Sequence, residues 1–173
     1  MTTTGADMPL SLRIARMLAI VMFVAIAVYL APLDPCILKL QFAFDGETFR
    51  DILTHWQTEG IARYRSHIPA DFLFLFLYGL AGYWFGRECS AKEREPALLL
   101  TWSLPLAAIA DAVEDVLHLV LTAENTTAMP ELYFLSGSAA SFKWLGIAFF
   151  ILSWISYRWK TRAFVQRPGR SRF

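Results

Sequence analysis

Four apolar stretches constrain what this chain can fold into. Met17 to Leu33 contains no charge, and Pro69 to Gly86 contains only Asp71. Ala97 to Thr122 carries a group of acidic residues, and Gly137 to Tyr157 carries only Lys143. A helix needs about 20 residues to cross a hydrocarbon core of about 30 Å. Backbone polar groups in that core must be paired within the segment, which favours helices. The pattern predicts an all-α polytopic membrane protein, a four-transmembrane-helix bundle with spans about 14–33, 69–86, 97–122 and 137–157. Composition agrees: 56% of the 173 residues are apolar and 18% are charged, where soluble domains carry about 25% charged residues. This length predicts one membrane domain over residues 1–173.

Arg13 and Arg16 precede the first apolar run as in a signal peptide, but no A-x-A-like site follows it. Leu33-Asp34-Pro35-Cys36 places Asp and Pro where a lipoprotein processing site has small residues. The segment is therefore read as a retained span. Eleven basic residues fall on one side: Arg13, Arg16, Arg87, Lys92, Arg94, Arg158, Lys160, Arg162, Arg167, Arg170 and Arg172. Lys39, Arg50, Arg63 and Arg65 fall on the other. The positive-inside rule then puts both termini in the cytoplasm of a bacterial inner membrane protein. The basic tail, 158–173, is placed to touch anionic headgroups or to act only in setting topology.

The outer connection, residues 34–68, is long for a structureless loop. Leu38, Leu40, Phe42 and Phe44 alternate with Lys39, Gln41, Ala43 and Asp45, which predicts an extended segment. Asp45 then caps a short helix whose Phe49, Ile52, Leu53 and Trp56 share one face. This amphipathic extracytoplasmic segment is read either as a lid or as an interfacial packing element.

In the third span, Asp111, Glu114, Asp115 and His118 follow i, i+3, i+4, i+7 and share one helix face. Ionisable groups inside a span are costly and mark sites. Counting depth along each span brings Asp71 and Tyr78 of the second span to the same half of the membrane. Lys143 of the fourth span reaches it too, with Ser136 on the same face. Ala139, Ala140 and Gly146 around Lys143 favour close helix approach, as does Gly82-x-x-x-Gly86. The expected site is therefore Asp71, Tyr78, Asp111, Glu114, Asp115, His118 and Lys143, in an outward-facing pocket.

Four carboxylates and one ammonium leave an excess of negative charge that a low dielectric does not tolerate. Protons on the carboxyls, a bound cation or water from outside would each compensate it. Asp111, Asp115 and His118 are weak metal-ligand candidates, because di-iron bundles repeat the carboxylate–histidine motif on a second helix and this chain does not. Lys143 beside them also opposes a bare dication, so no metal is assigned and the cofactor stays open. The functional expectation is an integral membrane protein that binds a small amphipathic or cationic ligand, with proton transfer an added capacity. The alternatives are a lipid-modifying acid–base enzyme and a non-catalytic complex subunit with a structural ion-pair network. Expected partners are the lipid bilayer, a lipid-like or cationic small molecule, and a second copy of the chain or another membrane protein.

Other signals are weaker. His55 and His67 are read as solvated or interfacial loop residues. Tyr83, Trp84, Trp144, Trp154, Tyr157 and Trp159 are read as aromatic-belt anchors. Cys36 and Cys89, with no C-x-x-C, are read as thiols without a catalytic role. No P-loop, dinucleotide fingerprint or G-x-S-x-G occurs, and no basic patch suits nucleic acid.

Leu40-Gln-Phe-Ala-Phe44, Ile52-Leu53 with Trp56, Asp71-Phe-Leu73, Asp111-x-x-Glu114-Asp115 and Lys143-Trp144 together resemble a set of small bacterial four-span membrane proteins. That resemblance implies the topology and the choice of residues, and no activity. In architecture alone the chain is similar to emopamil-binding/sigma-2-type membrane domains, helical bundles with acidic residues in a lipid-facing pocket. This second likeness is an analogy of form without matching motifs.

Overall fold

The computed structural model describes residues 10–92, 98–123 and 129–165. Arg94, Ala97, Arg167, Arg170 and Arg172 lie outside the described residues, as do the side chains of Lys92, Arg158, Lys160 and Arg162. Among the described residues the secondary structure is all α: α1 Leu10–Leu30, α2 Ile37–Gln41, α3 Gly46–Lys92, α4 Leu98–Leu121 and α5 Pro130–Val165. Three of these helices contain stretches long and apolar enough to cross a membrane: Leu12–Leu30, Gly46–Cys89 and Pro130–Tyr157. The fourth long helix, α4, has 24 residues and is about 36 Å long at 1.5 Å per residue. Its three carboxyl groups are buried among the other helices.

Helix α4 packs closely on both α3 and α5, while α1 rests mainly against α3. Glycines permit the closest approach. A Cβ on Gly86 would stand 2.3 Å from the Cα of Thr101, and one on Gly82 would stand 2.4 Å from the Cβ of Leu104. The G-x-x-x-G pattern therefore marks a close contact of α3 with α4, against backbone at Gly86 and against the Leu104 side chain at Gly82. Gly146 does the same for α5, where a Cβ would lie 3.1 Å from that of Ala107.

The connection 34–68 departs from expectation. Residues 37–41 form a short helix rather than an extended segment. Phe42 N–H donates to the Leu38 carbonyl at 3.2 Å and Ala43 N–H to that of Leu40 at 3.1 Å. Leu40 and Ala43 turn inward, whereas Leu38, Phe42 and Phe44 stay exposed. Nearly every second residue being apolar mimicked a strand, but burial follows the i, i+3 spacing of a helical turn.

Asp45 caps the next helix as its sequence predicts, its carboxylate accepting from Thr48 N–H at 2.8 Å and from the Thr48 hydroxyl at 2.9 Å. Hydrogen bonds from the Thr48 N–H, the Thr48 hydroxyl and the Glu47 N–H hold the Asp45 carboxyl below its ordinary value of 3.8. That helix does not stop before the second span. It runs on as α3, broken only at Gln57, whose φ of 55° and ψ of −170° are non-helical. The break lets residues 46–56 fold back over the bundle end, so 58–68 are the first turns of the long helix rather than loop.

The folded-back arm makes a second core. Leu33, Leu40, Phe49, Ile52 and Trp56 pack with Tyr64, Ile68, Leu121 and Tyr133. Trp56 Nε1–H donates to the Pro35 carbonyl at 2.6 Å, tying the arm to the turn after α1. Burying each such side chain from water contributes about 1.5–3 kcal/mol. The arm closes one end of the bundle with an apolar plug.

Helix α5 also begins earlier than the expected 137, with Pro130 in its first turn and Glu131 beside it. Proline supplies a helical φ at a position that needs no N–H, and the carboxylate meets the positive end of the helix dipole.

Candidate functional site

The seven expected residues come together inside the bundle. Helix α4 presents Asp111, Glu114, Asp115 and His118 inward along two turns, all of them buried. Helix α3 supplies Asp71 and Tyr78, and α5 supplies Lys143, all buried as well. The expected partner Ser136 is 1% exposed, and its hydroxyl has no hydrogen-bond partner among the described residues.

Lys143 organises one half of the site. Its Nζ lies 2.8 Å from Asp111 Oδ1 and 2.6 Å from Glu114 Oε2. Tyr78 donates its hydroxyl hydrogen to Asp111 Oδ2 at 3.3 Å, and Glu114 Oε1 lies 3.8 Å from His118 Nδ1. This ion-pair network joins α4 to α5 inside the protein. With Lys143 only 4% exposed and Glu114 1% exposed, water screens it little.

The other half contains residues that the sequence reading missed. His67, expected as a solvated loop residue, is buried. It lies on α3 one turn before Asp71, because the helix already runs through this region. One ligand atom each of His67, Asp71 and Asp115 lies within 4.8 Å of the others. This cluster replaces the weak metal candidates Asp111, Asp115 and His118: Asp111 is held by Lys143 and Tyr78, and His118 faces Tyr64. His55, by contrast, is exposed as expected.

Tyr64, also missed, sits between the two buried imidazoles. Its backbone carbonyl accepts from His67 Nδ1–H, which leaves Nε2 of that ring with its lone pair. Its hydroxyl shares a hydrogen with His118 Nδ1 at 2.5 Å. Phe49 of the folded-back arm covers His118, with ring centroids 5.5 Å apart. His118 itself is 0% exposed, and its Nε2 has no hydrogen-bond partner among the described residues. A helical repeat running from Tyr64 through His67, Ile68, Asp71 and Leu75 to Tyr78 would have revealed both residues.

A cavity of about 600 Å³ opens beside the cluster. Its floor holds His67, Asp71, Asp111, Asp115 and Lys143, and its walls are apolar side chains of α1 and α5, including Phe23, Ala27, Ile147 and Phe150. Trp144, expected as an interface anchor, also lines it and donates its Nε1–H to Gln41 Oε1 of α2 at 3.0 Å. A second cavity of about 580 Å³ lies further along the same helices and shares Tyr78, Leu104 and Phe150 with the first. Both cavities are lined by residues of α1 and α5, together with residues of α3 and α4. Comparison with protein-family models, curated proteins and solved structures finds no match for this chain.

Proposed function

We propose that this protein is a four-span membrane protein whose groove between α1 and α5 binds the polar end of an amphipathic molecule. The observation that carries this reading is the cavity of about 600 Å³, with apolar walls and a floor of Asp71, Asp111, Asp115, His67 and Lys143. A largely apolar pocket with a few convergent polar groups suits such a ligand. The second cavity, reached past Tyr78, Leu104 and Phe150, continues the slot in the direction of an extended hydrocarbon tail. In this reading α4 is the fourth span, its carboxyls tolerated because they face the interior. The basic residues then place both termini in the cytoplasm of a bacterial inner membrane.

A second reading has its own support. The Lys143–Asp111–Glu114 network bridges α4 and α5 where solvent is excluded, as expected of a pairing device in a non-catalytic subunit. The two readings divide the site: the network holds the helices, and the groove beside it takes the ligand.

Native mass spectrometry of the detergent-purified chain, with analysis of extracted lipids, tests the reading. An amphipathic molecule should co-purify with the parent protein and be depleted when Ala27→Trp or Ile147→Trp fills the groove. An identical lipid complement in parent and filled variants would reject ligand binding and leave the pairing device.

A further inference from the structure

We infer that His67, Asp71 and Asp115 form a binding site for a divalent transition-metal ion, with its remaining coordination positions open to the groove. The three side chains offer one imidazole nitrogen and two carboxylate oxygens within 4.8 Å of one another. That donor set suits Zn²⁺, Mn²⁺ or Fe²⁺ better than Ca²⁺ or Mg²⁺, which take oxygen ligands. His67 and Asp71 are one helical turn apart on α3, and Asp115 approaches from α4. The site therefore exists only when the two helices pack.

Charge partition favours the ion. Lys143 is engaged by Asp111 and Glu114. Among the described residues no lysine or arginine lies within salt-bridge distance of Asp71 or Asp115. Asp71 and Asp115 share a hydrogen bond, and a dication would replace its proton and offset the charge of both carboxylates. Lys143, whose charge is felt at Asp71 and His67, is itself paired with Asp111 and Glu114 rather than with these donors.

Two further observations point to a ligand here. Asp115 is 3% exposed, and its Oδ2 has no hydrogen-bond partner among the described residues. His67 is set in the tautomer a metal requires, since Nδ1–H is committed to the Tyr64 carbonyl and Nε2 keeps its lone pair. All three residues line the cavity. Three protein ligands with open positions resemble the plan of a catalytic rather than a structural metal centre. An oxygen-bearing headgroup such as a phosphate, carboxylate or hydroxyl would complete the coordination.

The test uses the full chain in detergent, treated with chelator and then titrated separately with Zn²⁺ and Mn²⁺. Elemental analysis after desalting should find one ion per chain. Asp115→Asn and His67→Gln should weaken binding at least tenfold, while His55→Gln, at an exposed imidazole outside the site, should leave it unchanged. Pulsed electron paramagnetic resonance of the Mn²⁺-loaded parent should show coupling to one imidazole nitrogen, a readout that needs no variant to fold. No bound ion, or bound Mn²⁺ without nitrogen coupling, overturns the inference. The outcome is separable from the ligand proposal: a co-purifying lipid without metal rejects only the metal, and metal without lipid rejects only the ligand.

Discussion

Replacing Lys143 by Met tests the electrostatic account most directly. The substitution keeps an unbranched side chain of similar length and removes the charge together with its N–H donors. In the parent protein the ammonium lies 2.8 Å from one carboxylate and 2.6 Å from another. At an effective dielectric of about 20, each such contact is worth roughly 6 kcal/mol before desolvation and carboxylate repulsion are subtracted. Breaking a buried pair by removing one partner costs about 3–5 kcal/mol net, because the other charge stays buried. Here two carboxylates are left behind, so the upper part of that range is expected, out of a total stability of about 5–15 kcal/mol. Removing the whole network should be far milder. Lys143→Met with Asp111→Asn and Glu114→Gln should recover most of the loss. Unfolding in mixed micelles with rising SDS, followed by fluorescence of the six tryptophans, measures both. The reasoning fails if Lys143→Met unfolds within about 0.5 kcal/mol of the parent, or if the triple variant is no more stable than the single one.

Three further outcomes follow from the fold. Gly86→Ala drives a Cβ to within 2.3 Å of Thr101 Cα and should cost about 1–3 kcal/mol. Gly79→Ala, which meets the Ala108 Cβ at 3.2 Å and the Pro105 Cα at 3.8 Å, should cost less in the same SDS titration. Gln57→Gly should raise stability by roughly 1 kcal/mol, since relief of backbone strain at φ 55° exceeds the added freedom of the unfolded chain; a lower unfolding midpoint would contradict the strained break. The Asp45 cap has a pH signature. Its folded pKa lies below the unfolded value of 3.8, so its stabilisation is present above that value and is lost as pH falls through the lowered one. Thermal melts of the parent and Asp45→Ala should therefore differ at pH 6 and converge near pH 2, and an equal gap at both would count against the cap.

The sequence reading succeeded where one period governed a whole element. The spacing of Asp111, Glu114, Asp115 and His118 was enough to put them on one face of α4. Depth counting was enough to bring Asp71, Tyr78 and Lys143 to them. It failed at the connection 34–68, where both faces of a short helix are apolar and Leu38 to Phe44 imitate strand alternation. The apolar run that begins at Pro69 does not mark the start of its helix. Proline removes one hydrogen bond and its ring strains the preceding turn, yet α3 continues through it and the break falls at Gln57. Moving the helix start by three turns converts His67 and Tyr64 from loop residues into site residues. No local signal marked Gln57, because a positive φ there is imposed by the packing of Phe49, Ile52 and Trp56 onto the bundle end.

The uneven packing of α1 has one more consequence. One end of the bundle is stoppered by Leu40, Phe49 and Trp56, while α1 leans on α3 and leaves the seam toward α5 lined by Phe23, Ala27, Ile147 and Ile151; in the proposed membrane-spanning reading that end faces water and the seam faces lipid. A molecule approaching through water meets the stopper. A molecule dissolved in a leaflet meets the seam, and needs only to slide sideways with its tail still in hydrocarbon. The membrane would then act as the reservoir as well as the solvent, and occupancy would follow the ligand's mole fraction among the lipids rather than its concentration in water.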